Sequence, residues 1–336
     1  MGKFWNLNSF TLILLILGTS IWSYWIVTTH DQQAIVSWDE GFHGGSALFI
    51  SESLRNNLSF RDFTYILNDF KNGMIWYPPL WLFLAGPLGA IFEPSVGIYR
   101  ASTLIFAIFS IVLIIYFVKS ISSFGAAVIA GVTLAFTPVF IVYSHLMMRE
   151  VPNLFGITFP LLLFYKYLTI ARLNFKFLLF TSFAFAIGVL AKVISIVIIF
   201  VTIFLFGVIL YLFYRQTYLW RRFYSRWTLY FLIIGLFTFN LFRIFTQKIL
   251  NADLLYFHLE QTKQLSGSEE SILFVIIKNI FENITFYFRD FSHMPVLTIF
   301  WFGSFLSYLI VRRSILSIFL IIWSVVTFIV FSAVKP

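Results

Sequence analysis

The chain has 336 residues, 60% of them hydrophobic and 11% charged, where a soluble globular domain carries about 25% charge, so an ordinary soluble fold is excluded. Its formal charge of +9 fits basic loops that orient a membrane protein better than a surface for nucleic acid. The absence of cysteine removes disulfides, thiolate metal sites and thiol nucleophiles.

The first apolar run, Phe10 to Thr28, is too long for the core of a signal peptide and lacks a small-residue cleavage site, so it reads as an anchor that is retained. Further runs predict spans at 99–118, 124–143, 151–168, 177–191, 193–213, 227–245, 295–311 and 315–333. The expected fold is an all-α polytopic membrane protein with about nine transmembrane helices. The run Pro78 to Phe92 is left out: it opens on two prolines, is interrupted by Gly86, Pro87 and Gly89, and suits an interfacial or re-entrant helix. With that choice the short loops on the amino-terminal side hold 11 basic residues and no acid, and all 14 acids fall opposite. The positive-inside rule then makes the N-terminus cytoplasmic.

Residues 1–336 are therefore expected to form one transmembrane domain with two large outer segments, 29–98 and 246–294. In the first, "GGSALFISESLRNN" predicts an amphipathic helix on the bilayer surface, with Ala47, Leu48, Ile50 and Leu54 on one face and Ser51, Glu52, Arg55 and Asn56 in water. The second contains "ILFVIIKNIFENITFYFRDF", interrupted by Lys278, Glu282 and Arg289, which also reads as interfacial.

Asp39 and Glu40 stand side by side ten residues beyond the first span, between Trp38 and Phe42. Such a pair is commonly a solvated loop, but a carboxylate at the headgroup level is also placed to take a proton from an acceptor that meets a lipid-borne reactant. Arg149 and Glu150 fall at the outer boundary of two spans, either as an ordinary helix start before Pro152 or as a second outer acid converging on Asp39. Lys192 is an isolated charge in a long apolar stretch; it either snorkels to the interface or binds a lipid phosphate. Arg100 opens the second span on the same side, where its guanidinium could fork onto phosphate oxygens. His30, His43, His145, His258 and His293 show no metal-ligand spacing, which leaves carboxylates as the only source of ligands for a divalent cation. No nucleotide, dinucleotide or hydrolase motif is present.

The order of "WDEG", "YPPLWLFL", "YRASTLIFAIFSIVLIIYF", "TPVFIVYSHLMMRE" and "AIGVLAK" resembles the GT-C membrane glycosyltransferases, in particular the branch of protein O-mannosyltransferases and aminoarabinose transferases. The resemblance covers most of residues 1–200. It implies a GT-C fold with interfacial helices in the first outer loop, and Asp39 as catalytic base supported by Glu40. It further implies that Lys192 and Arg100 lie near the donor's phosphate, and that the segment around Tyr77 and Pro78 lies at the outer surface. Ser144-His145 before Glu150 stands where the family often has Ser-Arg before Asp, so His145 and Arg149 are further candidates and the role of Glu150 is open. The resemblance implies no cofactor, a polyprenyl-phosphate sugar as donor, and a lipid, glycan or protein as acceptor. Family members often run beyond a final outer lysine, and the stop at "FSAVKP" gives the expectation of a truncated chain. A transporter or flippase of lipid-linked saccharides is the rival reading; it would need polar groups along a path through spans that are nearly free of charge.

Overall fold

A computed structural model describes residues 9–29, 38–56, 80–170, 175–191, 193–215, 217–225, 228–230, 233–238, 240–241 and 315–333. Among these residues there is no strand. The helices are α1 (Ser9–Thr29), α2 (Trp38–Arg55), α3 (Leu82–Phe92), α4 (Val96–Ile121), α5 (Phe124–Ala135), α6 (Pro138–Ser144), α7 (Glu150–Thr169), α8 (Phe175–Ala191), α9 (Val193–Phe213), α10 (Tyr218–Phe223) and α11 (Ile315–Ala333). Two of them, α4 and α7, are long and apolar enough to cross a membrane. The expected span at 295–311 and the second outer segment, 246–294, lie outside the described residues, and 227–245 is described only in part.

The chain divides into two compact units: Met1–Leu162 with Ala184–Lys192 and Ile249–Asn251, and Leu163–Phe183 with Val193–Lys248 and Ala252–Pro336. In the first unit, α2 packs on α3, α3 on α4, and α4 on α5 and α6. Serines set the ends of α4. The Ser95 hydroxyl accepts from the Ile98 N–H at 3.3 Å, and the Ser122 N–H closes the last turn on the Val118 carbonyl. Ser123 then caps α5, accepting from the Ala126 N–H at 3.2 Å. Each such cap satisfies a donor that a helix start leaves open.

The expected span 124–143 is not one helix. Pro138 brings no N–H and disfavours helical backbone at Thr137, so α5 stops at Ala135 and α6 starts at Pro138. The break leaves the Ala135 carbonyl without its helical donor, and the indole N–H of Trp22 in α1 supplies one at 3.1 Å. Trp22 also stacks on Phe140 beyond the break, ring centroids 6.0 Å apart.

The run at 78–92 gives α3, whose 11 residues extend about 16 Å at about 1.5 Å each, well short of the roughly 30 Å hydrocarbon core. It ends at Glu93, which has φ 71° and ψ 135°. The following Pro94 favours extended ψ at that position, while the positive φ is strained for any residue with a Cβ.

The expected facing of α2 holds for Glu52, Arg55 and Asn56, which are exposed, but not for Ser51 or for the apolar residues. The helix begins at Trp38, so Asp39 and Glu40 belong to its first turn rather than to a loop. Ser51 and Ala47 are fully buried, whereas Leu48 and Leu54 are 45% and 48% exposed. The buried stripe is Glu40, His43, Gly44, Ala47 and Ser51, a helical spacing of polar and small residues. Small residues allow close backbone approach and polar ones bridge neighbouring helices. A Cβ on Gly89 of α3 would run into Ser51 Oγ and lie 2.7 Å from Tyr99 Cε1. The pattern could not show this, because Ser51 is held by the Gly86 carbonyl and the Tyr99 hydroxyl, which are far away in sequence.

In the second unit α9 packs on α11 and on the short α10. Phe206 lies edge-on to Phe319, ring centroids 5.0 Å apart. Tyr167, late in α7, is buried, and its hydroxyl meets the Thr228 hydroxyl at 3.0 Å.

Candidate functional site

The site is built in the first unit around Glu40. In the first turn of α2 a carboxylate complements the helix dipole. The Glu40 side chain is fully buried and Arg100, early in α4, is 1% exposed. Arg100 Nε donates to Glu40 Oε1 at 2.8 Å and Nη2 to Oε2 at 3.0 Å, a bidentate fork. The Met147 N–H donates to the same Oε1 at 3.1 Å. One carboxylate thus ties together α2, α4 and the connection between α6 and α7. Gly44, a turn further along α2, allows that connection to approach: a Cβ there would sit 2.9 Å from both Sδ and Cε of Met147.

Around this centre several polar groups meet neighbours, whereas His43 Nδ1, Arg149 Nε and Nη2 and Glu150 Oε2 are buried with no hydrogen bond of their own among the described residues. His43 is buried with its ring centroid 6.3 Å from that of Trp81, and the Trp81 indole N–H donates to Thr103 Oγ1 at 2.9 Å. The Tyr99 hydroxyl donates to Ser51 Oγ at 2.9 Å, and the Ser51 hydroxyl is shared between the carbonyls of Ala47 and Gly86. His145, just past α6, is buried with Nδ1 3.0 Å from the Ile141 carbonyl, which requires the proton on Nδ1. Arg149 is 2% exposed; its carbonyl accepts from the Asn153 N–H at 2.7 Å and so starts α7, with Glu150 as the acid of the first turn.

Of the residues singled out in the sequence, the structure joins Glu40 directly to Arg100 and, through Met147, to the connection bearing His145 and Arg149. Asp39 adjoins Glu40 in the first turn of α2. Arg100 departs from expectation: its fork is committed to a carboxylate inside the protein rather than offered to a phosphate, because a guanidinium so deeply buried needs a matched counter-charge. Lys192, Tyr77 and Pro78 lie outside the described residues. The chain on either side of them is nevertheless drawn together, since the Leu80 N–H donates to the Leu190 carbonyl at 2.8 Å. Sequence reasoning missed Ser51, Tyr99, Trp81 and Thr103. The 3–4 residue spacing of Glu40, His43, Ala47 and Ser51 was the signal that could have found the buried face of α2.

Among the described residues, no group of three or more histidines and carboxylates could hold a metal ion. No family model, curated protein or solved structure matches the chain.

Proposed function

We propose that the protein is a multi-pass membrane glycosyltransferase of the GT-C type, which moves a sugar from a polyprenyl-phosphate carrier to an acceptor on the outer face with inversion at the anomeric carbon. The order of motifs over residues 1–200 supports this reading. The observation that carries it is the clamp on Glu40, which fixes the first turn of α2, and with it the backbone of Asp39, against α4 and the connection after α6. A general base needs such fixed placement more than it needs a special chemical environment.

In the proposed reaction the acceptor's oxygen or nitrogen attacks the anomeric carbon and its proton passes to Asp39. The bond from that carbon to the phosphate oxygen breaks, and its electron pair leaves with the polyprenyl phosphate. The leaving group is a stable anion and is served by a cation rather than an acid. Arg100 is withdrawn from that task, since it holds Glu40; Lys192 keeps it. Glu150 is proposed to orient the acceptor. An N-in chain of about nine spans, with its active site on the outer face, completes the proposal.

The test is transfer of radiolabelled sugar from a panel of polyprenyl-phosphate donors to membrane extract by purified protein. Asp39→Asn is expected to keep the thermal stability of the parent and to lose at least about 100-fold in rate. Undiminished transfer by that variant would remove Asp39 from the role.

A further inference from the structure

From Val151 to Ala252 the sequence contains no acid and ten basic residues. In the second unit this stretch includes the end of α9, a tight turn and α10. The last residues of α9 are apolar and turned outward: Leu212 is 61% and Phe213 74% exposed. Arg215 follows after Tyr214, exposed, with its guanidinium carbon 5.0 Å from the Tyr211 ring centroid. Thr217 caps α10, its hydroxyl accepting from the Trp220 N–H at 3.3 Å.

The segment is anchored rather than loosely tethered. Arg222 Nη2 donates to the Ile170 carbonyl at 3.1 Å, just past α7, where a cation complements the helix dipole. The Tyr224 hydroxyl donates to the Gly207 carbonyl of α9 at 3.2 Å, and Trp220 packs against Tyr224 with ring centroids 3.6 Å apart. These contacts leave Arg215 and Arg221 at the surface, and neither forms an ion pair among the described residues.

Exposed apolar side chains, an aromatic ring and an exposed guanidinium within five residues, Tyr211 to Arg215, are the groups that suit a bilayer boundary of acyl chains, headgroups and phosphates. A guanidinium lying on an aromatic ring keeps its fork available for phosphate oxygens. We infer that the exposed end of α9, where Arg215 lies over the Tyr211 ring, is a binding site for the headgroup of an anionic phospholipid, with Arg221 of α10 as a second exposed cation. Charge complementarity selects the lipid, since no carboxylate from the same hundred residues competes for these cations. The inference rests on the multi-pass membrane part of the proposed reading and not on the transfer reaction, so loss of transfer would leave it standing.

Full-length protein reconstituted in phosphatidylcholine vesicles, with spin-labelled phosphatidylglycerol or phosphatidylcholine as the probe, tests it. Electron paramagnetic resonance of the motionally restricted lipid gives the selectivity between the two. The parent is expected to prefer phosphatidylglycerol at low salt by up to about 25-fold, about fivefold from each arginine. R215Q/R221Q should lose at least fivefold of that preference, R215K/R221K, which keeps the charge but not the fork, should keep only part of it, and R55Q, a change on α2, should leave it intact. An unchanged preference in R215Q/R221Q, an equal loss in R55Q, or no preference in the parent would overturn the assignment. An unaltered total of restricted lipid in R215Q/R221Q shows that the variant is folded and embedded.

Discussion

The acid-bearing region around α2 and the acid-free stretch around α10 treat arginine in opposite ways. Arg100 is sealed in the first unit with both arms of its fork on one carboxylate. Arg215 and Arg221, in the second, are exposed, and Arg215 rests on the face of a tyrosine. The difference follows from desolvation: a guanidinium taken wholly out of solvent needs a matched anion, whereas one at a surface needs only an orienting wall. Arginine in an apolar chain therefore has two distinct uses, as an internal tie and as an outward hand.

The contrast can be broken most sharply at its buried end. Arg100→Met leaves the Glu40 charge without its counter-ion and is expected to cost about 3–5 kcal/mol, read as a lowered thermal unfolding transition in detergent. The double variant E40Q/R100M should recover most of that loss, because neither charge is then stranded. Equal stability of Arg100→Met and the parent would remove the pair from its role as a tie.

A smaller effect is expected where α3 meets α2. Gly89→Ala presses a methyl group on Ser51 and Tyr99, and overpacking of this kind costs about 1–3 kcal/mol. The same transition would show it, and a neutral Gly89→Ala would mean that the two helices can separate without penalty. At the weak end, Arg221→Gln should change stability by less than about 0.5 kcal/mol, as surface substitutions do. A large loss there would show that α10 is held by its charge, and would erase the distinction between the two regions.

Helix existence was legible in the sequence because long apolar runs have few other outcomes. Thus 151–168 appears as Glu150–Thr169 and 193–213 as Val193–Phe213. The break at Thr137-Pro138 was visible as a proline, yet a span read by length alone runs through it. What decides is whether the freed carbonyl finds a donor, and that donor is Trp22, far away in sequence. The site shows the same limit. Glu40 and Arg100 each stood out as charges in apolar surroundings, but the two are 60 residues apart, and their pairing is a property of how α2 and α4 pack. Without that packing, an arginine beside a lipid boundary reads as a phosphate ligand. The orientation of α2 was missed for a related reason: Ser51 turns in toward partners on α3 and α4, Gly86 and Tyr99, and Leu48 and Leu54 are left outward.

The hydrogen bond from Trp22 to Ala135 has a consequence in time. Its partners are 113 residues apart, and at about 5–20 residues per second a ribosome takes roughly 6 to 23 s to synthesise that interval. Throughout it α1 is already made while the kinked pair that it completes does not yet exist. The Trp22 indole therefore cannot find this acceptor until α2, α3 and α4 have been made, so the kink is completed late in the assembly of its unit.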